Sequence, residues 1–209
     1  MIAERSTTVR AGAETLEARL AVPPGARLGV VVSHPHPLYG GDMDNPVVAR
    51  IVEVCAARGL ATLRFNFRGV GASTGRHEGG RGEQDDIRAS LALLEETLGG
   101  GARLALAGYS FGAAVAAAVA ATSPVAGLAV VAPPLRITEM QLPTGIAGPV
   151  LVVVGAEDQY CPPSALETMH AQLPSATVVV VEGTDHFFFG SLAALGDAVG
   201  SWADALLAA

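Results

Sequence analysis

Three separated stretches of this chain carry residue types suited to one chemistry. They are a serine in Gly108-Tyr109-Ser110-Phe111-Gly112, a carboxylate in Gly155-Ala156-Glu157-Asp158, and a histidine in Gly183-Thr184-Asp185-His186-Phe187. The first matches Gly-x-Ser-x-Gly. It is preceded by the apolar run Leu104–Ala107 and followed by the alanine- and valine-rich stretch Ala113–Ala121. A strand that turns abruptly into a helix forces such a serine into a strained backbone conformation. The turn leaves the hydroxyl exposed at a helix N-terminus, where negative charge is favoured. A serine hydroxyl barely ionises near neutral pH, so it needs a base, and behind an elbow of this kind the acid and then the histidine follow along the chain. Only His170 and His186 lie beyond Ser110. His170 falls within an expected helix, Ala165–Leu173, and reads as a surface or packing residue. His186 follows the expected strand Val178–Val181 and is the expected base. Asp158, just past Val150–Val154, is the expected acid. Asp185 ranks second, because consecutive side chains in an extended loop diverge, and Glu157 is a further rival. The chemistry implied is nucleophilic attack on an acyl carbonyl, with the proton relayed through an imidazole that a carboxylate orients.

The tetrahedral intermediate of such a reaction needs two backbone N–H donors. One is expected from Phe111, the residue after the nucleophile. The other is expected from the loop after Leu28–Val32, which reads Ser33-His34-Pro35-His36-Pro37-Leu38-Tyr39-Gly40-Gly41. Pro35 and Pro37 have no N–H, which leaves His36 first and Leu38 second. His34, Tyr39, Tyr109 and Phe187 are the expected substrate-binding side chains. His34 and His36 could begin a metal site, but further ligands at suitable spacing are missing, so no metal is expected. The glycines of Arg68–Gly75 run one residue too long for a dinucleotide fingerprint, with no helical pattern directly after them. No cofactor is expected, and Arg68 is expected to tie its loop to a neighbouring carboxylate.

The elements that must position these residues are legible as patterns. Thr7–Arg10 and Thr15–Val22 flank a turn at Gly12, and the second alternates apolar and polar residues, as an antiparallel pair at a sheet edge does. Leu28–Val32, Ala61–Phe67 (interrupted by Arg64 and Asn66), Leu104–Ala107, Leu128–Val131, Val150–Val154 and Val178–Val181 are short apolar runs. They suit parallel strands covered by helices on both faces. Between them, Asn45-Pro46 starts a helix that Arg58-Gly59 stops. Ile87, Leu91, Leu94 and Leu98 share a helix face, as do Leu192, Leu195, Val199, Trp202 and Leu206. Pro35–Asp44, Arg68–Gly82 and Pro133–Gly148 read as the longer loops. The alternation gives an α/β fold in one domain spanning residues 1–209, mostly parallel, with function gathered at the carboxyl ends of the strands.

Composition narrows the classes further. The net charge is −7 and the pI about 5.1, against nucleic acid as a partner. All 13 basic residues are arginine, so no Schiff-base lysine and no phosphate-loop lysine exists. Cys55 and Cys161 form no motif. The first residues lack the apolar run of a secretory signal, and the long apolar region Leu104–Pro133 is broken by the glycine-serine turn and by Ser123-Pro124. No membrane contact is expected, and a cytoplasmic protein is the simplest reading. A monomer and a homodimer are both open, the second through Val178–Val181 if that strand is an uncovered edge.

Together, His34–Asn45, Phe65–Ser73 and Gly108–Gly112 resemble a small bacterial branch of the α/β-hydrolase superfamily: compact, lidless esterases, similar more distantly to dienelactone hydrolases and serine aminopeptidases. The resemblance covers nearly the whole chain. It implies a triad at Ser110, Asp158 and His186 and no cofactor, and it implies no substrate. The expected substrate is a small-molecule carboxylic ester, and with no large cap domain the open site is expected to prefer short acyl chains. Thioesters and peptides are compatible with the same machinery, and a non-catalytic binding or scaffold protein is the competing class. The dienelactone hydrolases use cysteine where this chain has Ser110. The aminopeptidases insert a helical cap for which the connection from Val131 to Val150 is too short, so that Leu135 to Leu142 could form at most a small flap.

Overall fold

The computed structural model describes residues 3–136, 143–173 and 175–209. Eight strands among these residues form one sheet: β1 (Arg5–Ala11), β2 (Glu14–Ala21), β3 (Leu28–Ser33), β4 (Ala61–Phe65), β5 (Arg103–Tyr109), β6 (Leu128–Val131), β7 (Val150–Gly155) and β8 (Thr177–Val181). Their spatial order is β1-β2-β4-β3-β5-β6-β7-β8. β1 pairs antiparallel with β2, and β2 antiparallel with β4. From β4 onward every pairing is parallel. The helices are α1 (Pro46–Ala57), α2 (Arg81–Leu98), α3 (Phe111–Ala120), α4 (Pro163–Gln172) and α5 (Leu192–Ala208).

A parallel sheet must be covered on both faces, and two apolar layers do this. Ile87 and Leu94 of α2, the small residues of α3, and Met169 of α4 pack on one face. Val48, Ile51 and Cys55 of α1 pack on the other, together with Leu195, Val199 and Trp202 of α5. Beyond Phe111, α3 holds nothing larger than valine, so its backbone lies close against β5 and β6.

The apolar run Val178–Val181 is covered only in part by the two layers: Val178 packs against one, and Val179 and Val181 against the other. β8 is the sheet edge, with Val178 and Val179 half-buried and Val180 45% exposed. Its uninterrupted valines reflect β-branched preference for extended backbone as much as burial. α2 also starts earlier than its apolar periodicity suggests, at Arg81, because Glu83 in its first turn reaches back to accept the Gly80 N–H.

Candidate active site

The polar interruptions in β4 and beyond hold the loop that follows β3. Arg64 is buried and binds Glu4, the Met43 carbonyl and Asp44. The Asn66 side chain accepts from the Met43 N–H and donates to Glu17. Arg68 donates to the fully buried Asp86, as expected of a loop tie, and also faces Glu78 at 3.3 Å. The loops after β3 and β4 are thus fixed to the sheet by charged groups that the core would otherwise reject.

Ser110 joins β5 to α3 with φ 54° and ψ −117°. Among the described residues, Ser110, Ala132 and Phe188 are the non-glycine residues with positive φ. They follow β5, β6 and β8 at the carboxyl edge of the sheet, and each costs roughly 1–3 kcal/mol that the surrounding packing must offset. Glycine is required beside the serine: a Cβ on Gly112 would stand 2.5 Å from the His34 carbonyl oxygen. The Ser33 hydroxyl bridges the same two elements, within 3.0 Å of the Gly112 carbonyl and 3.2 Å of the Ala107 carbonyl.

Three of the residues singled out in the sequence meet here. The Ser110 Oγ lies 2.9 Å from His186 Nε2, and His186 Nδ1 lies 2.8 Å from Asp158 Oδ2. The other carboxylate oxygen, Oδ1, accepts the Tyr160 and Cys161 N–H groups. The two loops interlock through backbone. Glu157 N–H donates to the Thr184 carbonyl, and a Cβ on Gly155 would lie 2.3 Å from that same carbonyl oxygen. Asp185, the rival acid, instead accepts the Phe187 N–H.

A family profile described as an alpha/beta hydrolase domain matches residues 30–194. The chain belongs to this family. Among solved structures, this α/β-hydrolase is similar to an α/β serine hydrolase homologue from Coxiella burnetii. The two are 35% identical, with coverage of 96% of this chain and 98% of that one and a TM-score of 0.87. A lidless α/β serine hydrolase from Xanthomonas campestris is 31% identical, with 96% and 94% covered and a TM-score of 0.85. An uncharacterized protein from Rickettsia prowazekii is 31% identical over 179 residues, which span 80% of this chain and 74% of that protein. Like the lidless Xanthomonas structure, the α/β-hydrolase shows no large cap domain among the described residues. The connection where a small flap was expected falls partly on residues 137–142, outside the described residues, as does the His170 side chain. No helix among the described residues is long and apolar enough to cross a membrane.

Several expected contacts are placed differently. His34 is fully buried, so it cannot line substrate. Its Nε2 accepts the Phe67 N–H, and its Nδ1 lies 2.6 Å from the Pro35 carbonyl, so the proton of the neutral ring sits on Nδ1. Tyr109 is also inward, only 3% exposed, with its hydroxyl donating to the His186 carbonyl. It ties down the loop that carries His186 and does not face solvent. The Leu38 N–H, the second choice for an oxyanion donor, is spent on the His36 ring. The His36 and Phe111 N–H groups have no such acceptor among the described residues, and their rings pack 4.9 Å apart. Phe187 is exposed beside His186, and Tyr39 is exposed against the His36 ring. Sequence reasoning missed His77 and Glu83. The buried Glu83 carboxylate accepts the Glu78 and Gly80 N–H groups and stands 2.9 Å from His77 Nδ1. The His77 ring packs against Phe111 and His36. Only the glutamate three residues after Gly80 hinted at this, as a helix-start signal.

Two expectations follow from the inward residues. Burial pushes the His34 imidazole down to about 4. Between about pH 6.5 and pH 4 the unfolded chain therefore binds a proton that the folded chain refuses, and stability falls by roughly 3 kcal/mol as pH drops through that window. Urea midpoints at pH 7 and pH 4.5 should fall more for the native protein than for His34→Gln; equal falls would show that His34 does not control this limb. Tyr109→Phe should lose about 1–2 kcal/mol, since it leaves the His186 carbonyl without its buried donor. Thermal or urea unfolding measures this, and an unchanged midpoint would show the hydroxyl to be idle.

Proposed function

We propose that this α/β-hydrolase cleaves small carboxylic esters, short in the acyl chain, through an acyl-enzyme on Ser110. The hydrogen-bonded series from Ser110 Oγ through His186 to Asp158 carries the reading, because it joins a strained, positioned hydroxyl to a base and to that base's orienting carboxylate. Ser110 Oγ attacks the ester carbonyl carbon while its proton passes to His186 Nε2. The carbonyl oxygen becomes an oxyanion, which the Phe111 and His36 N–H groups stabilise beside the N-terminus of α3. The carbon–oxygen bond to the alcohol then breaks, and the His186 proton leaves with the alcohol. Water repeats the sequence in reverse, giving up a proton to His186 and releasing the acid and free Ser110. Asp158 keeps the Nδ1–H of His186 directed toward itself and stabilises the imidazolium formed twice in each cycle. Each step uses only these residues, the ester and water.

Intact-mass analysis after incubation with a fluorophosphonate, with peptide mapping of the adduct, tests the assignment. One adduct on Ser110, absent in His186→Ala, is expected. A folded protein that takes no adduct, or takes it elsewhere, would replace this reading with a non-catalytic binding role.

A further inference from the structure

The aromatic residues of this chain are few and unevenly placed. Half of the residues are hydrophobic, yet only 5% are aromatic: six phenylalanines, three tyrosines and one tryptophan. The core is built mainly from alanine, valine and leucine. Phe65, Phe67, Phe188, Tyr109 and Trp202 are buried. All the others retain exposure, and they sit at the carboxyl edge of the sheet: Tyr39 after β3, Phe111 at the start of α3 directly after Ser110, Tyr160 after β7, and Phe187 and Phe189 after β8.

These five form two groups, one on each side of Ser110. On the side of the Phe111 N–H, the Tyr39 ring packs 4.7 Å from His36, which in turn packs on Phe111. On the side of the base, Tyr160 and Phe187 pack edge-on against His186 at 4.8 and 5.6 Å, and Phe189 lies 5.9 Å from Phe187. Tyr39 is 87% exposed and Phe189 80%. Large rings held in water are costly for solubility and mark binding surfaces. A saturated ligand would be served equally by the valine and leucine that this chain uses everywhere else. Rings instead offer tilted and edge-to-face contacts that a saturated ring does not return.

We infer that the substrate carries an aromatic ring, on its acyl or its alcohol side, which seats between the two aromatic groups flanking Ser110. This rests on the ester-hydrolase reading for the identity of the reacting bond, while the ring preference rests on the flanking side chains alone. The test uses pairs that differ only in ring saturation: benzyl acetate against cyclohexylmethyl acetate, and ethyl phenylacetate against ethyl cyclohexylacetate. An apolar surface without π-contacts favours the greasier cyclohexyl member. The aromatic member is expected to win in kcat/KM by about fivefold in at least one pair, as one or two ring contacts supply. That ratio should move toward one in Tyr39→Leu or Phe187→Leu, both of which keep apolar bulk at exposed positions. Equal or reversed preference in both pairs would overturn the inference. Calorimetric binding of the same esters to Ser110→Ala needs no turnover. Tighter binding of an aromatic member supports the inference, and equal, weaker or absent binding of both overturns it. Fluorophosphonate labelling reports separately on the hydrolase reading. Label on Ser110 without ring discrimination sinks only the ring inference, and ring discrimination without label sinks only the hydrolase.

Discussion

Ser110→Ala and His186→Ala should each lower kcat by about a millionfold on a small ester, and the double variant should fall little further, because nucleophile and base act as one unit. Asp158→Asn should cost about ten-thousandfold, since the ring loses the acceptor that fixes its proton on Nδ1. On the proposed mechanism the residual rate in each case is expected from the N–H groups of Phe111 and His36, which none of these changes touches. Initial rates under saturating ester, with urea unfolding as the control, check all three. A companion variant separates chemistry from folding. Ser110 is held at φ 54°, so Ser110→Gly should be inactive yet more stable, by about 1 kcal/mol, because glycine adopts that conformation without strain. A folded, active Ser110→Ala would refute the assignment of roles, and a Ser110→Gly less stable than the native protein would refute the strain at that position.

The second large effect lies away from the reacting atoms. Arg68 is 8% exposed and Asp86 fully buried. The Arg68 Nε and Nη2 groups reach Asp86 Oδ1 at 3.1 and 2.8 Å, and the Arg68 N–H donates to Oδ2 at 3.0 Å. Burial pushes the Asp86 carboxyl upward, and the bonds from Arg68 only partly draw it back. Asp86→Ala should cost about 3–5 kcal/mol, because it strands a guanidinium inside the fold with the half-exposed Glu78 and the more distant Glu83 as its remaining counter-charges. Removing both charges is a different matter: Arg68→Met with Asp86→Leu should recover most of that loss. Urea denaturation at pH 7 measures both. If the single variant loses under 1 kcal/mol, the pair contributes nothing to stability; if the double variant is as weak as the single one, the cost comes from shape and not from the stranded charge.

What could be read in the sequence was whatever depends on local pattern. The strands and helices follow from apolar runs and from caps such as Asn45, whose side chain accepts the Val47 N–H. That Ser110, Asp158 and His186 come together was legible because each lies just past an apolar run, at the carboxyl ends of strands in one sheet. The roles of His34 and Tyr109 were not. Each stands beside a functional residue in sequence, and only tertiary packing decides that its ring turns inward, His34 toward the Phe67 N–H and Tyr109 toward the His186 carbonyl. Partnerships such as Arg64 with Glu4 and Asp44 were hidden for the same reason. They join residues far apart in the chain, and neither partner has a pattern that names the other.

The place of β8 has a consequence for how the protein fails. Ser110 follows β5 in the middle of the sheet, whereas His186 follows β8, which has a strand neighbour on one side only. Edge segments open by sub-global fluctuations that need less free energy than complete unfolding. Ser110 and His186 are therefore expected to stand in zones of unequal local stability, one in the middle of the sheet and the other at its margin. Mild denaturant or warming would detach the base from the nucleophile while the central sheet keeps its form. Catalytic inactivation would then run ahead of the loss of helical signal, and amide exchange would be fastest along the stretch that carries the histidine.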